Sequence, residues 1–412
     1  MKKIISLILL ILTVLSSTAC TFVKIPAPEN PETLDSVILA QSVNLGTLEE
    51  TDRQILSTED AVYKTERAVV AIRVQPIGSD SASFGSGVIV KVEDRAVNEY
   101  YILTCHHVIE SMGNVRVYVP DENRRNYTDA DYDPKYAFSG TIGASVYPNS
   151  QISLVGGDKE SDVAVLKLTL PVINNLSIEE VPVPVDNYTV RKGAEVFAIG
   201  NPTGSLPNTF TKGYVSYVNR TASFIDIGTL TLLQLNTDIW RGSSGGALFN
   251  MYGELIGLTN GGRDLDLENE ACYSGINYAI PYEIDGSLTE NGFINVARQL
   301  IGTATETNYG YVSGRKSKLG FVSTYQPETG ILSVTAVTEN SISAKAGLLA
   351  GDVILSANGT PTTDNAVLSS VISSLSVGDQ LTLSISRNNG LTIENKQISM
   401  TIAQYRFCDT GL

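Results

Sequence analysis

The sequence predicts a mostly β protein with more than one domain. The chain has 412 residues, which is room for two or three hydrophobic cores at about 150 residues per domain. From residue 68 onward, short runs rich in Val and Ile alternate with clusters of Gly, Asn, Asp and Pro, the pattern of strands joined by turns. Hydrophobic residues make up 42% of the sequence and charged residues 18%, so a largely disordered chain is excluded.

The strand-like runs continue to about residue 281, as in a barrel or a sandwich. A capping-box pattern, Ser57-Thr58-Glu59-Asp60, predicts a short helix at the start of this region. A further helix is predicted around 294–300. The clearest strand predictions are 69–74, 87–92, 100–104, 115–119 and 163–168.

The N-terminus has the parts of an export signal. Lys2 and Lys3 precede an apolar stretch at 4–15, small residues follow, and Cys20 comes next. The apolar stretch is too short for a transmembrane helix, which needs about 20 residues. We therefore predict a signal peptide at 1–19. The sequence Ser-Thr-Ala-Cys also resembles a bacterial lipobox, which predicts a lipid on Cys20 and anchoring to the outer face of a bacterial cell membrane. Simple secretion remains the alternative.

The rest of the chain divides into four predicted segments. Residues 20–56 contain three prolines and scattered acids, which indicates a spacer. The main β domain is predicted at 57–300, a linker at 301–316, and a second compact unit at 317–407. In that second unit, strands are predicted at 332–337 and 353–357, and helices at 341–347 and 364–375.

Charge and residue counts exclude several functions. The chain has 44 acidic and 29 basic side chains and a net charge of −15, so nucleic acid is not an expected partner, because its binding depends on Lys and Arg. Only two histidines occur, His106 and His107, which excludes His-rich metal sites and the His-Glu-x-x-His motif of metallopeptidases. No metal or organic cofactor is expected.

The cysteines leave their pairing open. If Cys20 carries a lipid, Cys105, Cys272 and Cys408 remain, and an odd number leaves at least one thiol unpaired within the monomer. Three buried, reduced thiols are equally compatible with the sequence.

A serine among glycines is the strongest chemical signal in the sequence. Residues 242–246 read Gly-Ser-Ser-Gly-Gly and lead into an apolar strand. Glycines let peptide N–H groups converge on one point beside a hydroxyl, as an oxyanion hole requires. His106-His107 and Asp162 precede this turn, which gives the chain order His, Asp, Ser of chymotrypsin-like proteases.

Five landmarks in family order make the chain resemble HtrA/DegP serine proteases. They lie at 104–109, 161–168, 198–202, 242–248 and 275–281. The resemblance implies a chymotrypsin-like protease domain of two six-stranded β-barrels with the active site between them. It selects His107 rather than His106, because the catalytic histidine of the family directly precedes Val-Ile.

The same resemblance implies the roles of the site residues. Ser244 would be the nucleophile, His107 the general base and Asp162 the carboxylate that orients it, with an oxyanion hole at Gly242, Ser243 and Ser244. A substrate pocket for small or medium aliphatic side chains is expected along one strand. Its predicted residues are Ile276, Tyr278 and Ile280.

The C-terminal unit resembles an HtrA-type PDZ domain, which is β-rich with two helices. The motif Leu319-Gly320-Phe321 and the run 341–359 carry this resemblance. PDZ domains bind a peptide C-terminus as an added strand, and the Leu319-Gly320-Phe321 loop would hold its carboxylate.

Together, these features predict an exported serine endopeptidase that cleaves unfolded or mislocalised proteins. The resemblance implies a homotrimer, and contact with the membrane is expected only through the lipid on Cys20. The alternative is a proteolytically silent or strictly gated chaperone that binds peptides in the cell envelope.

Overall fold

The computed structural model describes residues 43–121, 134–143, 146–147, 149–171, 176–185, 188–224, 228–260, 275–283 and 292–407. The predicted signal segment, with Cys20, lies outside these residues, as do Cys272 and Cys408. Within the described ranges no helix combines the length and the apolar character needed to cross a membrane.

The first domain begins with a closed barrel, in the order β1-β2-β3-β7-β6-β5-β4. Strands β5 and β6 are parallel and meet at a single bridge, Gly140 to Ile152. The described part of this barrel therefore has seven strands rather than the six that the resemblance implies. The bounds are β1 Val69–Gln75, β2 Ser83–Val90, β3 Glu99–Cys105, β4 Gly113–Tyr118, β5 Ala137–Ile142, β6 Ile152–Asp158 and β7 Val163–Thr169.

A second closed barrel follows, in the order β10-β13-β12-β11-β8-β9. Its inward-facing aliphatic side chains are fully buried, and the long β9 spans much of one side against β10. The predicted double barrel is therefore confirmed. The bounds are β8 Glu195–Gly200, β9 Thr209–Phe224, β10 Gly228–Leu235, β11 Ala247–Asn250, β12 Leu255–Thr259 and β13 Asn277–Pro281.

The helix predicted from the capping box is present as α1, Thr58–Thr65. Ser57 is its N-cap and accepts a hydrogen bond from the N–H of Asp60 (3.1 Å). The chain before it, 43–56, also packs against the barrels, although the sequence predicts a spacer over 20–56. Leu45 is fully buried, and Arg53 forms an ion pair with the buried Glu254 (3.0 Å).

Two more helices belong to the first domain. The four-residue α2, His106–Ile109, follows directly after β3. The helix predicted around 294–300 is present as α3, Phe293–Thr303, and its apolar face, with Phe293 and Leu300 fully buried, packs on the first barrel. Hydrophobic burial of this face fixes the chain that leads toward the C-terminal domain.

The C-terminal domain is a separate sheet with its own core, in the order β14-β15-β16-β18-β19, with β17 on β16. Its predicted strands and helices are confirmed. The helix predicted at 341–347 ends at Lys345, because Gly347 adopts a positive φ of 88°. The bounds are β14 Phe321–Gln326, β15 Ile331–Val337, α4 Ile342–Lys345, β16 Val353–Ala357, β17 Thr360–Pro361, α5 Asn365–Ser374, β18 Gln380–Asn388 and β19 Ile393–Thr401.

Candidate active site

The first barrel brings His107 and Asp162 into direct contact. His107 lies in α2, at the end of β3, and Asp162 lies in the turn between β6 and β7. Its carboxylate accepts two hydrogen bonds from His107, one from the backbone N–H (2.9 Å) and one from Nδ1 of the ring (2.7 Å). The side chain of Asp162 is 1% exposed and that of His107 is 28% exposed. The Asp162 carboxylate is therefore buried in the protein, and the His107 ring that it holds reaches the surface.

The turn that carries Asp162 has an unusual backbone. Asp162 adopts φ = 56°, a conformation that surrounding contacts must hold in a residue other than glycine. Its carbonyl accepts the N–H of His106 (3.0 Å). The preceding Ser161 donates through both its N–H (3.1 Å) and its hydroxyl (2.6 Å) to the buried Asp158 carboxylate. These bonds fix the backbone on both sides of the Asp162 carboxylate.

Asn260, which the sequence analysis did not single out, contacts both halves of the site. Its side-chain amide donates to Asp162 Oδ2 (2.6 Å), and its backbone carbonyl accepts the hydroxyl of Ser244 (3.3 Å). It directly follows β12 in the second barrel. No local pattern marks it, because its partner Asp162 is 98 residues away in sequence.

The second barrel presents Ser244 in the turn before β11. Gly242 (φ 93°) and Gly245 (φ 80°) flank it with positive φ. A Cβ at Gly245 would overlap Ser86 O and the Thr104 hydroxyl, so the turn is closed too tightly for any side chain. Ser86 of β2 joins the barrels here: its hydroxyl donates to Gly242 O (2.8 Å) and its N–H donates to Ser244 O (2.8 Å).

The Ser244 hydroxyl and the neighbouring N–H groups are the part of this turn that is predicted to react. Among the described residues, no hydrogen bond joins the Ser244 hydroxyl to His107, because the hydroxyl donates to Asn260 O (3.3 Å). Within the same residues, the N–H groups of Gly242 and Ser244 donate to no protein acceptor. Unused N–H groups beside a hydroxyl are what an oxyanion hole requires.

Ser243, the third residue of the predicted oxyanion hole, has a different environment. It is buried, its N–H donates to Trp240 O (2.9 Å), and its carbonyl accepts the Thr259 hydroxyl (2.5 Å). These bonds hold the turn between Trp240 and Gly245 in one conformation. In this arrangement its N–H is already used within the turn.

The two adjacent histidines have different surroundings. His106 is buried, and its Nε2 has no hydrogen-bond partner within the described residues. Burial lowers the pKa of His106, since a charged imidazole would lose its hydration. Its ring packs against Phe407 with the centroids 5.4 Å apart. Within the described ranges, the ring of His107 is hydrogen-bonded to a carboxylate and the ring of His106 is not.

Cys105 lies beside this pair. Ligand atoms of Cys105, His107 and Asp162 lie within 4.8 Å of one another, close enough to hold a metal ion. Burial, reinforced by the Asp162 charge, raises the pKa of the Cys105 thiol well above its usual range. Because Nδ1 of His107 is already bonded to Asp162, this set does not fit a resident metal ion.

The predicted pocket strand is β13. Tyr278 and Ile280 are buried in the barrel cores and Ile276 is half-buried. Burial raises the pKa of the Tyr278 phenol. The neighbouring residues 261–274 lie outside the described part of the chain, so the assignment of Ile276, Tyr278 and Ile280 to a substrate pocket stays a prediction.

The PDZ-like loop lies at the start of an edge strand. Gly320 has φ = 79°, and its carbonyl accepts the N–H of Thr338 (2.8 Å). The following β14 pairs only with β15 among the described strands, so its other edge is open beside α5. The hydroxyl of Ser323 in β14 donates to Asn365 Oδ1 at the start of α5 (2.8 Å). A strand edge next to a helix is the geometry of peptide addition in PDZ domains.

Comparison with known proteins agrees with both domains. A family of trypsin-like peptidase domains matches residues 85–258, and a family of PDZ domains matches residues 306–397. The chain thus contains a trypsin-like peptidase domain followed by one PDZ domain.

Individual relatives show which trypsin-like peptidases this chain is similar to. The periplasmic serine endoprotease DegP of Escherichia coli K12 is 31% identical over 323 residues, and the periplasmic pH-dependent serine endoprotease DegQ of the same strain is 29% identical over 308 residues. These matches cover 78% and 74% of this chain and 56% of each relative, so the chain spans about half the length of these relatives. A solved structure of a serine endoprotease from Yersinia pestis is 26% identical, with a TM-score of 0.43, over 85% of this chain and 98% of that one. The chain is homologous to these DegP/HtrA serine endoproteases.

Proposed function

We propose that this protein is a serine endopeptidase in which Ser244, His107 and Asp162 form the catalytic triad. The observation that carries the proposal is the convergence of these residues at the junction of the two barrels. The His107–Asp162 hydrogen bond (2.7 Å) and the Ser244 turn are connected through Asn260. The relatives of this chain are named as serine endoproteases, which supports the same reaction.

The proposed mechanism gives one step to each residue. Ser244 Oγ attacks the peptide carbonyl carbon, and His107 Nε2 takes the hydroxyl proton and later gives it to the leaving amine. Asp162 holds the proton of His107 on Nδ1 and stabilises the imidazolium that forms. The N–H groups of Gly242 and Ser244 stabilise the oxyanion. Water then releases the acyl group from Ser244 by the same proton transfers.

The second domain supplies binding rather than cleavage. The open edge of β14 beside α5 would accept the C-terminus of a substrate or an activating peptide as an added strand, with its carboxylate at Leu319, Gly320 and Phe321. Unfolded or mislocalised proteins present such extended termini. The domain bounds proposed from the sequence are 57–300 for the peptidase domain and 317–407 for the PDZ domain, although the residues after Thr401 return to the first barrel and Phe407 packs in the core of the peptidase domain.

Export, anchoring and assembly complete the proposal. The signal segment 1–19 and the periplasmic names of the relatives support a location outside the cytoplasm. A lipid on Cys20 would hold the protein at the membrane. A homotrimer is proposed from the family resemblance alone.

One observation favours a second candidate function, a gated or silent peptide-binding protein. The Ser244 hydroxyl is hydrogen-bonded to Asn260 O rather than to His107, so the nucleophile must rotate before its proton can be transferred. A chain that stays in this arrangement would bind peptides without cleaving them.

A direct test uses residues 21–412 and the Ser244→Ala variant of the same chain. Digestion of casein by the parent chain, and its loss in the variant and after a serine-directed covalent inhibitor, are the expected results. The loss in the variant should be about 10⁶-fold in kcat. A parent chain that neither digests casein nor reacts with the inhibitor, even with C-terminal peptides added, would instead support the silent binding protein.

A further inference from the structure

The segments on either side of the PDZ domain pair with each other beside the first barrel. These paired segments are 312–317, which enters the domain, and 402–407, which leaves it. The N–H of Tyr405 donates to Arg315 O (2.7 Å), and the side chain of Gln404 donates to the same carbonyl (3.0 Å). The two connections to the PDZ domain therefore form one structural unit.

Arg315 anchors this unit on the first barrel. Its Nε and Nη2 lie 3.1 Å from Oδ1 and Oδ2 of Asp158, a carboxylate that is only 1% exposed, and its Nη1 contacts Glu160 (2.9 Å). A buried carboxylate is stable as an ion only with a partner and hydrogen bonds. Arg315 comes from the other side of the domain junction, 157 residues away in sequence.

Asp158 in turn holds the turn that carries Asp162. It accepts the N–H and the hydroxyl of Ser161, which immediately precedes Asp162. The positive φ of Asp162 persists only while its surroundings hold it. The contact of Arg315 with Asp158 is therefore separated from Asp162 by one hydrogen-bonded step, from Asp158 to Ser161, and by the peptide bond between Ser161 and Asp162.

Phe407 makes an independent contact beside the His107–Asp162 pair, with His106 and with Gly157 of β6. It is fully buried within the core of the peptidase domain, 5.4 Å from the ring of His106 and 5.8 Å from the ring of Tyr309. It also closes over Gly157, where an added Cβ would lie 2.9 Å from the Phe407 ring. His106 directly precedes His107 and donates its N–H to Asp162 O (3.0 Å).

We propose that Arg315 and Phe407 are positioning residues for the His107–Asp162 pair. Because both belong to the paired segments, catalysis depends on the docking of these segments against the first barrel. This inference rests on the proposed function of the triad. Neither residue reaches the reacting atoms: Arg315 acts through Asp158 and Ser161, and Phe407 acts through His106.

The expected consequence is a loss of rate rather than of substrate binding. Without Arg315, Asp158 is a buried carboxylate without its guanidinium partner, and the turn carrying Asp162 relaxes. Without the Phe407 ring, the backbone of His106 loses its packing. Either change moves His107 relative to Ser244, and a displacement of about 1 Å costs about 100-fold in rate. The substrate pocket and the β14 groove remain in place.

The test compares Arg315→Gln and Phe407→Ala with a matched control in the full chain. Arg387→Gln removes an equivalent arginine, whose Nε lies 2.6 Å from Asp352, another carboxylate that is 1% exposed but lies inside the PDZ domain. Two further variants test rescue. Asp158→Asn in the Arg315→Gln background removes the uncompensated charge, and Phe407→Leu restores apolar volume.

The first readout is independent of turnover. Because the chain contains only two histidines, selective ¹⁵N-histidine labelling gives NMR signals from His106 and His107 alone. The low-field proton of the His107 Nδ1–H bonded to Asp162 should weaken or shift in Arg315→Gln and Phe407→Ala, persist in Arg387→Gln, and return in the two rescue variants. The second readout is hydrolysis of a short peptide, where kcat should fall about 10- to 100-fold with KM unchanged.

Each outcome separates the two proposals. A parent chain without peptidase activity overturns the proposed function, and the NMR signals still decide the positioning roles. An unchanged His107 signal in both test variants overturns the positioning proposal, whatever the activity. Equal losses in Arg315→Gln and Arg387→Gln, or no recovery in the rescue variants, also overturn it, because general destabilisation would then explain the result.

Discussion

The two halves of the candidate active site differ in how firmly they are held. In the first barrel, the Asp162 carboxylate accepts hydrogen bonds from the His107 backbone, the His107 ring and Asn260. In the second barrel, the Ser244 turn accepts hydrogen bonds from the hydroxyl and the N–H of Ser86, but the Ser244 hydroxyl donates to Asn260 O. The proposed base and its carboxylate are preorganised, whereas the proposed nucleophile needs a side-chain rotation to join them.

This difference separates two contributions to the activation barrier, the orientation of the base and the rotation of the nucleophile that we propose. Preorganised hydrogen bonds in a buried site lower the barrier without reorganisation during the reaction. Rotation of the Ser244 hydroxyl costs little, but it requires that substrate displaces the bond to Asn260. Substrate binding is thus expected to complete the second half of the site and leave the first half unchanged.

The largest effect should come from the first half. Asp162→Asn should lower kcat about 10⁴-fold, because an amide that donates to Nδ1 of His107 selects the wrong tautomer. Peptide hydrolysis measures this loss. Asp238→Asn, on an exposed acid before the Ser244 turn, should keep the parent rate. A fall of less than tenfold in Asp162→Asn would mean that this half contributes little to catalysis.

The next effect should come from the turn of the second half. In Gly242→Ala, the added Cβ would lie 2.6 Å from Thr203 N and 2.7 Å from Asn201 O, so the peptide must move and the oxyanion hole is lost. We expect kcat to fall about 10²- to 10³-fold, with the NMR signal of His107 unchanged.

Gly193→Ala is the matched control for this change. Gly193 has a similar positive φ of 84°, but a Cβ there meets no atom within 4 Å. It reproduces the backbone strain without the collision. If both alanine variants lose the same activity, strain rather than the oxyanion hole would explain the result. A changed His107 signal in Gly242→Ala would show that the two halves are not separable.

A smaller effect on kcat is expected at Asn260, which contacts both halves of the site. Asn260→Ala removes a hydrogen bond to a buried carboxylate, which contributes about 1.5–3 kcal/mol, equivalent to about 10- to 100-fold in kcat. Asn260→Asp should lose more, since it places a second carboxylate against Asp162. Asn236→Ala, which removes a surface acceptor for Tyr214 N, serves as the control in the same peptide assay. Full activity in Asn260→Ala would remove Asn260 from the site.

The smallest effect is expected at His106, the buried residue next to His107 in the first half of the site. Burial lowers the pKa of His106 in the folded state from about 6.5 in the unfolded chain. The unfolded state therefore binds the proton first as pH falls. The stability contributed by neutral His106 is complete above about pH 6.5 and is lost as pH falls toward the folded-state pKa.

Thermal unfolding of His106→Phe tests this sign. Phenylalanine keeps the ring against Phe407 and removes the titration. Between about pH 7.5 and about pH 5.5, the Tm of the parent chain should fall more than that of the variant. Parallel curves would show that His106 is not a source of acid sensitivity.

Local sequence patterns are sufficient to predict the helices and strands and the residue types of the site. The strands predicted at 69–74, 115–119 and 163–168 are present as β1, β4 and β7, because alternation and β-branched residues are local signals. The order His, Asp, Ser and the glycines of the turn likewise identify the chemistry.

The contacts that position the site could not be predicted in the same way. Asn260 meets Asp162 across 98 residues, and Arg315 meets Asp158 across 157 residues. Neither polar residue differs in sequence from an ordinary solvated side chain. The packing of 43–56 was missed for a related reason, since Leu45 is a single buried residue in a segment without sustained periodicity.

The two barrels and the PDZ sheet also differ in their strand edges. Within the described residues, the strands of each barrel pair around a closed ring, whereas the PDZ sheet ends in two edge strands, β14 and β19, which each leave one row of N–H and C=O groups free. Extended, aggregation-prone chains grow by adding to such rows. On the function proposed above, the protein would meet such chains, and the strand edges that it exposes to them lie on the PDZ sheet rather than on the barrels.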